Sequence, residues 1–307
     1  MGSTGPPPFT GTQDKSFPGD GYDIFSAEFR TDPYSQWGAI RQGHCPLART
    51  EKWGGSWMPV RYADIHTLGR DVDRLTARAS EVSGPLERAG GLFLPPLTSD
   101  PPDHKPHRDL LMPFFVPKRM AATEPFVRHR ARALAEGIAR RGGGDAIAGY
   151  ARELTLAVLT EMLGVPLGGR ITDWVVRLIR TGAQDQQVRA EVVTEMLAYL
   201  DERLDERAAE PKSERGDDVI TYLVGAAMDG RPLSRRHQLG AAFLFLIAGA
   251  DTTWSAIGAS LWHLGTHPAD RERLVAEPAL LGTATEELLR VYAPVTMGRL
   301  TTAEVEL

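Results

Sequence analysis

Leu244-Phe245-Leu246-Ile247-Ala248-Gly249-Ala250-Asp251-Thr252-Thr253 passes from an apolar run into a glycine, an acid and two hydroxyls. Glycine weakens a helix interior, and an unpaired buried carboxylate costs far more, so such residues in a core helix mark a site. The helix is expected to begin after Ser234, a good N-cap residue, and to end near Gly265-Thr266-His267-Pro268. About thirty residues at ~1.5 Å rise each span roughly 45 Å, enough to cross a domain. Leu244, Ala248 and Thr252 recur on one stripe, with Ile247 and Asp251 on the next. Ala248 and Gly249 have almost no side chain, which leaves room for a flat ligand against the backbone. Asp251 and Thr252 then set an ionisable group and a hydroxyl beside it, the parts of a proton relay. The plainer reading is a core helix whose threonine bonds back to a carbonyl.

The 307 residues, 42% hydrophobic and 24% charged, have the composition of an ordinary globular protein. A net charge of −5 and a pI near 5.9 favour neither nucleic acid nor an anionic membrane. No stretch approaches the ~20 apolar residues of a membrane helix, and Leu239 to Ala250 reads better as a buried core segment. Residues 1–20 lack the basic and apolar parts of a signal peptide, and Pro6 stands where a myristoylation site wants Ser or Thr. The single cysteine, Cys45, excludes an internal disulfide and suits a cytoplasmic location.

Residues 1–22 read as a flexible lead-in and 23–307 as one domain. A hairpin is expected between Cys45 and Val60 around Gly54-Gly55, with a short helix from Tyr62 to Gly69. Residues 83–102 form a long Pro- and Gly-rich loop with an apolar cluster, Leu92, Phe93 and Leu94, of the kind that binds something. Beyond Pro106, helices are expected near 105–112, 118–140, 145–163, 170–182, 186–209, 217–229, 234–266, 268–276 and 282–292. The fold class is mainly α with a small N-terminal β region.

Ala248-Gly249-Ala250-Asp251-Thr252-Thr253 resembles the central-helix signature of the cytochrome P450 family, the haem-thiolate monooxygenases. Glu287-x-x-Arg290 resembles that family's buried Glu-Arg pair, and Ala293-Pro294-Val295 follows it in place. Asp100-Pro101-Pro102-Asp103-His104 with Arg108 resembles the bacterial segment whose His and Arg hold haem propionates, and Phe115-x-Pro117 continues it. The plain alternative there is a proline turn with solvated His and Arg. Arg299 resembles the family's other propionate-binding arginine. Gly54-Gly55-Ser56-Trp57, Arg61-Tyr62-Ala63-Asp64-Ile65 and Leu75-Thr76-Ala77-Arg78 are weaker echoes of its first hairpin, helix and turn. The likeness covers roughly residues 30–307.

The resemblance implies a cytochrome P450 fold, incomplete at the C-terminus, because the loop Phe-x-x-Gly-x-x-x-Cys-x-Gly that carries the axial thiolate is missing. Cys45, in Gly43-His44-Cys45-Pro46-Leu47, lacks the features of that loop, so no metal ligand is expected in this chain. The implied parent function is haem-dependent insertion of one oxygen atom of O2 into a small apolar substrate. Haem b would lie against Ala248 and Gly249 with its propionates on His104, Arg108 and Arg299. Thr252 would hydrogen-bond bound dioxygen and Asp251 would supply protons. Leu92, Phe93, Leu94, Leu244 and Ile247 would face the substrate. Electrons would come from a ferredoxin or flavin reductase, with no nucleic-acid or membrane partner. The chain is expected to be a fragment of that enzyme; the rival reading is a naturally truncated, haem-deficient binding or scaffold protein.

Overall fold

The computed structural model describes residues 21–42, 45, 47–52, 55–79, 93–182 and 185–305. The chain divides into two compact units: residues 1–75 with 301–307, and residues 76–300. Two-residue strands, β3 (Leu75–Thr76) and β6 (Leu300–Thr301), mark the places where the chain passes from one unit to the other.

In the first unit, two short helices, α1 (Ala27–Thr31) and α2 (Pro33–Arg41), each start from a side-chain cap. Ser26 accepts from the Phe29 amide and Asp32 from the Ser35 amide, and Pro33 opens α2 at the position that has no amide to satisfy. The expected hairpin is present as antiparallel β1 (Leu47–Thr50) and β2 (Ser56–Pro59), with Leu47 opposite Pro59 and Thr50 opposite Ser56. Helix α3 (Tyr62–Leu68) follows as expected. A small core of Tyr22, Phe29, Ile40 and Ala48 holds the unit, with Trp37 edge-on to Phe29 at 4.7 Å.

The second unit is a helical assembly: α4 (His104–Leu111), α5 (Pro117–Arg140), α6 (Arg152–Leu163), α7 (Gly169–Arg180), α8 (Gln186–Ala209), α9 (Val219–Gly225), α10 (Arg235–Thr266), α11 (Pro268–Ala276) and α12 (Leu281–Val291). A π-helical turn, Ile147–Ala151, leads directly into α6. Helix α6 ends at Gly164, whose φ of +82° is a left-handed cap that glycine adopts without strain. The helix expected over 217–229 stops at Gly225. Asp229 and Gly230, with φ of 52° and 73°, close a tight hairpin between β4 (Ala227–Met228) and β5 (Arg231–Pro232) instead. Asp-Gly supplies the positive φ that such a turn needs.

Helix α10 is the centre of this unit and packs against α6, α7, α8, α9 and the π turn. It is long and apolar enough to cross a membrane by length and composition, more so than the sequence pattern suggested. Half of that apolar window is buried inside the unit, where α10 serves as the core helix. Its own Phe243 and Leu246 are fully buried, as are Phe114, Trp174, Met196 and Leu200 in the same core.

Candidate functional site

Helix α10 runs without a break through the polar stretch, and its sides differ there. Gly249 faces α6, where a Cβ would stand 2.7 Å from Leu159 Cδ1. Its missing side chain lets the two helices meet at this point. Ala248, by contrast, is exposed, and Thr252 lies half-buried one turn further along its stripe. The Thr252 hydroxyl donates to the Ala248 carbonyl at 2.7 Å, the back-bond open to a mid-helix threonine.

Asp251 is half-buried beside them. Burial pushes its carboxyl above the usual carboxylate range, against the opposing pull of Ser255, Trp254 and the Arg180 guanidinium of α7. Ser255 donates to its Oδ1 at 3.4 Å. Sequence reasoning missed Arg180, because only the packing of α7 on α10 carries it into the field of Asp251.

On α4, His104 and Arg108 stand one helical turn apart, half-buried and exposed respectively. Arg299 is exposed and donates to the Gly298 carbonyl at 2.8 Å. Among the described residues none of the three is paired with a carboxylate. The structure does not bring them to Asp251 and Thr252 directly. Helix α4 meets α10 through His107 and His237, about 20 Å up the axis from Asp251 at ~1.5 Å per residue.

Arg290 donates to both oxygens of Glu287, each at 2.7 Å. The pair is formed, but its side chains are 70% and 60% exposed and α12 holds no buried residue. The expected buried pair is here a surface pair at helical spacing. Of the proposed substrate-facing residues, Leu92 lies outside the described residues. Leu94 and Leu244 belong to the core, at 1% and 8% exposure, and Ile247 packs against it. Phe93 stands edge-on to His107 and His237 under the Arg236 guanidinium. All four make packing contacts in this structure.

No family model matches the chain. Cytochrome P450 130 of Mycobacterium tuberculosis is 30% identical to it over 300 residues, covering 92% of this chain and 72% of that protein. This chain belongs to the cytochrome P450 family. It is also 31% identical over 282 residues to probable cytochrome P450 127A1 of Sinorhizobium fredii, covering 90% of this chain and 66% of that one. Among solved structures, cytochrome P450 CYP109Q5 from Chondromyces apiculatus matches with a TM-score of 0.78 at 28% identity, covering 94% of this chain and 72% of that one. The chain spans about two thirds of the length of the curated relatives it matches.

Cytochromes P450 use haem b. His104, Arg108 and Arg299 are polar donors without a carboxylate partner among the described residues, the chemistry that haem propionates would need, and exposed Ala248 lies one turn from Thr252. The axial position is different. The second unit contains no cysteine, Cys45 belongs to the first, and no group of three or more His, Cys, Asp or Glu among the described residues could hold a metal ion.

Proposed function

We propose that this chain is the propionate-binding and proton-delivering part of a bacterial-type P450 monooxygenase acting on a small, apolar organic molecule. The observation that carries this reading is the Asp251–Thr252 pair: a carboxyl raised by burial beside a hydroxyl on the open side of α10. His104, Arg108 and Arg299 hold the propionates by charge-assisted hydrogen bonds. Haem ligated by a thiolate supplies oxygen activation, the thiolate favouring O–O cleavage. The relatives' greater length and the absence of cysteine from the second unit support a thiolate contributed from outside these 307 residues.

At rest the proton of Thr252 Oγ1 is held on the Ala248 carbonyl. Asp251, with a raised carboxyl, stays protonated closer to neutrality than an exposed aspartate and can pass a proton toward Thr252. Arg180 faces Asp251 and tunes that carboxyl downward. Electrons come from a ferredoxin or a flavin reductase, and the enzyme works in the cytoplasm. In the full-length enzyme, Thr252→Ala should keep haem and substrate binding while electrons are diverted to hydrogen peroxide. Product formed per electron consumed is the measurement, and an unchanged yield removes Thr252 from the relay. Failure of the full-length protein to take up haem would favour the haem-deficient binding protein instead.

A further inference from the structure

Away from Asp251, two histidines meet between α4 and α10. His107, only 7% exposed, and His237, in the first turn of α10, face each other with their Nε2 atoms 3.1 Å apart. Each ring is held from behind by a serine: Ser99 Oγ lies 2.7 Å from His107 Nδ1 and Ser234 Oγ 3.3 Å from His237 Nδ1. Phe93 closes the cluster, with ring centroids 5.4 and 4.8 Å from the two imidazoles.

Two facing nitrogens at this distance need one proton between them. With none, two lone pairs oppose; with two, two N–H groups collide. Hydroxyls both donate and accept, so the serines satisfy either tautomer of the neutral pair. A first added proton can sit on an outer nitrogen without breaking the central bond. A second puts hydrogen on both facing atoms and separates the rings.

We propose that His107 and His237 form a proton-controlled latch between α4 and α10, closed while they share one proton and opened when both are fully protonated. The ionisable groups that face the pair are Asp103 and His104 from α4 and Arg236 from α10. Asp100, in the preceding loop, is turned away to Thr76 and the Ala77 amide. Burial depresses both histidines most; Asp103 partly offsets this at His107, while Arg236 and His107 itself reinforce it at His237.

The sign follows. An unfolded histidine takes its proton below about pH 6.5, whereas the folded pair resists it. The latch's contribution is therefore complete above that value and is lost as pH falls through the depressed native range. Each proton bound only by the unfolded chain raises the unfolding constant by up to about tenfold per pH unit.

The test is a ring-nitrogen NMR titration of the whole chain from about pH 8 to 5, with urea unfolding across the same interval. The latch requires His107 and His237 to titrate together, in two steps, below the ordinary histidine value. His237→Phe keeps ring volume against Phe93 and should flatten the acid limb of the unfolding constant. Independent titration of the two rings near the ordinary value, or an acid limb unchanged in His237→Phe, overturns the latch. The titration needs no variant, so it decides even if His237→Phe does not fold.

A functional consequence rests on the haem reading above, since α4 also carries His104 and Arg108. In the full-length enzyme, haem affinity followed by absorbance should hold above about pH 6.5, fall below it in the wild type and fall less in His237→Phe. Coupled ring titration without haem uptake by the full-length enzyme at either pH leaves the latch standing and sinks the haem reading.

Discussion

The two halves of α10 have similar apolar content and opposite surroundings. From Gly240 to Leu246 seven consecutive residues are buried, so every side of the helix is covered. Beyond Leu246 the buried residues are Ala250, Trp254 and Gly258, a single stripe four residues apart. Leu261 and Trp262 near its end are 38% and 60% exposed, and neither α11 nor α12 holds a buried residue. Hydrophobic residues in the first half make the core. In the second half only one stripe is fully buried, and most of the other residues are half-buried or exposed. Asp251 and Thr252 fall just past the boundary, both half-buried.

The largest effect should come from the covered half. Leu246→Ala should cost about 2–5 kcal/mol in urea unfolding, because a fully buried leucine leaves a cavity that its neighbours only partly fill. Trp262→Ala removes more atoms yet should cost under about 1 kcal/mol, since most of its ring already meets solvent. Equal losses would mean that burial does not separate the halves. Asp251→Asn probes the boundary. A carboxyl raised in the folded state binds its proton more tightly there than in the unfolded chain, so stability falls as pH rises from about 4 through the raised value. The variant should lose that slope and gain on the wild type toward neutral pH; parallel profiles would show Asp251 to be unshifted. Smallest is Glu287→Gln, which should leave unfolding at moderate salt unchanged, because the pair it breaks is exposed. A clear loss there would place α12 among the covered elements.

Much of this was legible from the residues. Helix spans came from apolar periodicity and from Ser234 and Pro268 as boundaries, because local signals fix local structure. The Asp229-Gly230 hairpin was equally local and was overlooked within an apolar run. What the sequence hid is contact between distant segments. Gly249 reads the same whether its neighbour is a ligand or Leu159, and Phe93 the same whether it faces a substrate or two histidines. The Glu287–Arg290 pair was legible as a pair, but its surroundings depend on what packs over α12. Asp251 and Thr252 were singled out because their chemistry is conspicuous in an apolar helix. Arg180 was not, since an arginine on a helix surface carries no such mark.

The π turn at Ile147–Ala151 has a consequence for how such chains change length. The Ala151 amide donates to the Ala146 carbonyl at 2.9 Å, five residues back, so this turn houses one residue more than an α-turn. Because the extra residue is taken up within that one turn, the residues downstream keep the facing they would have in a plain α-helix one residue shorter. Deleting one residue here, with the turn tightening to α, should leave Leu159 against Gly249, whereas the same deletion within α6 should swing that helix by about 100° and present a different row to α10. A chain one residue shorter in this turn should therefore still need a small residue at the crossing.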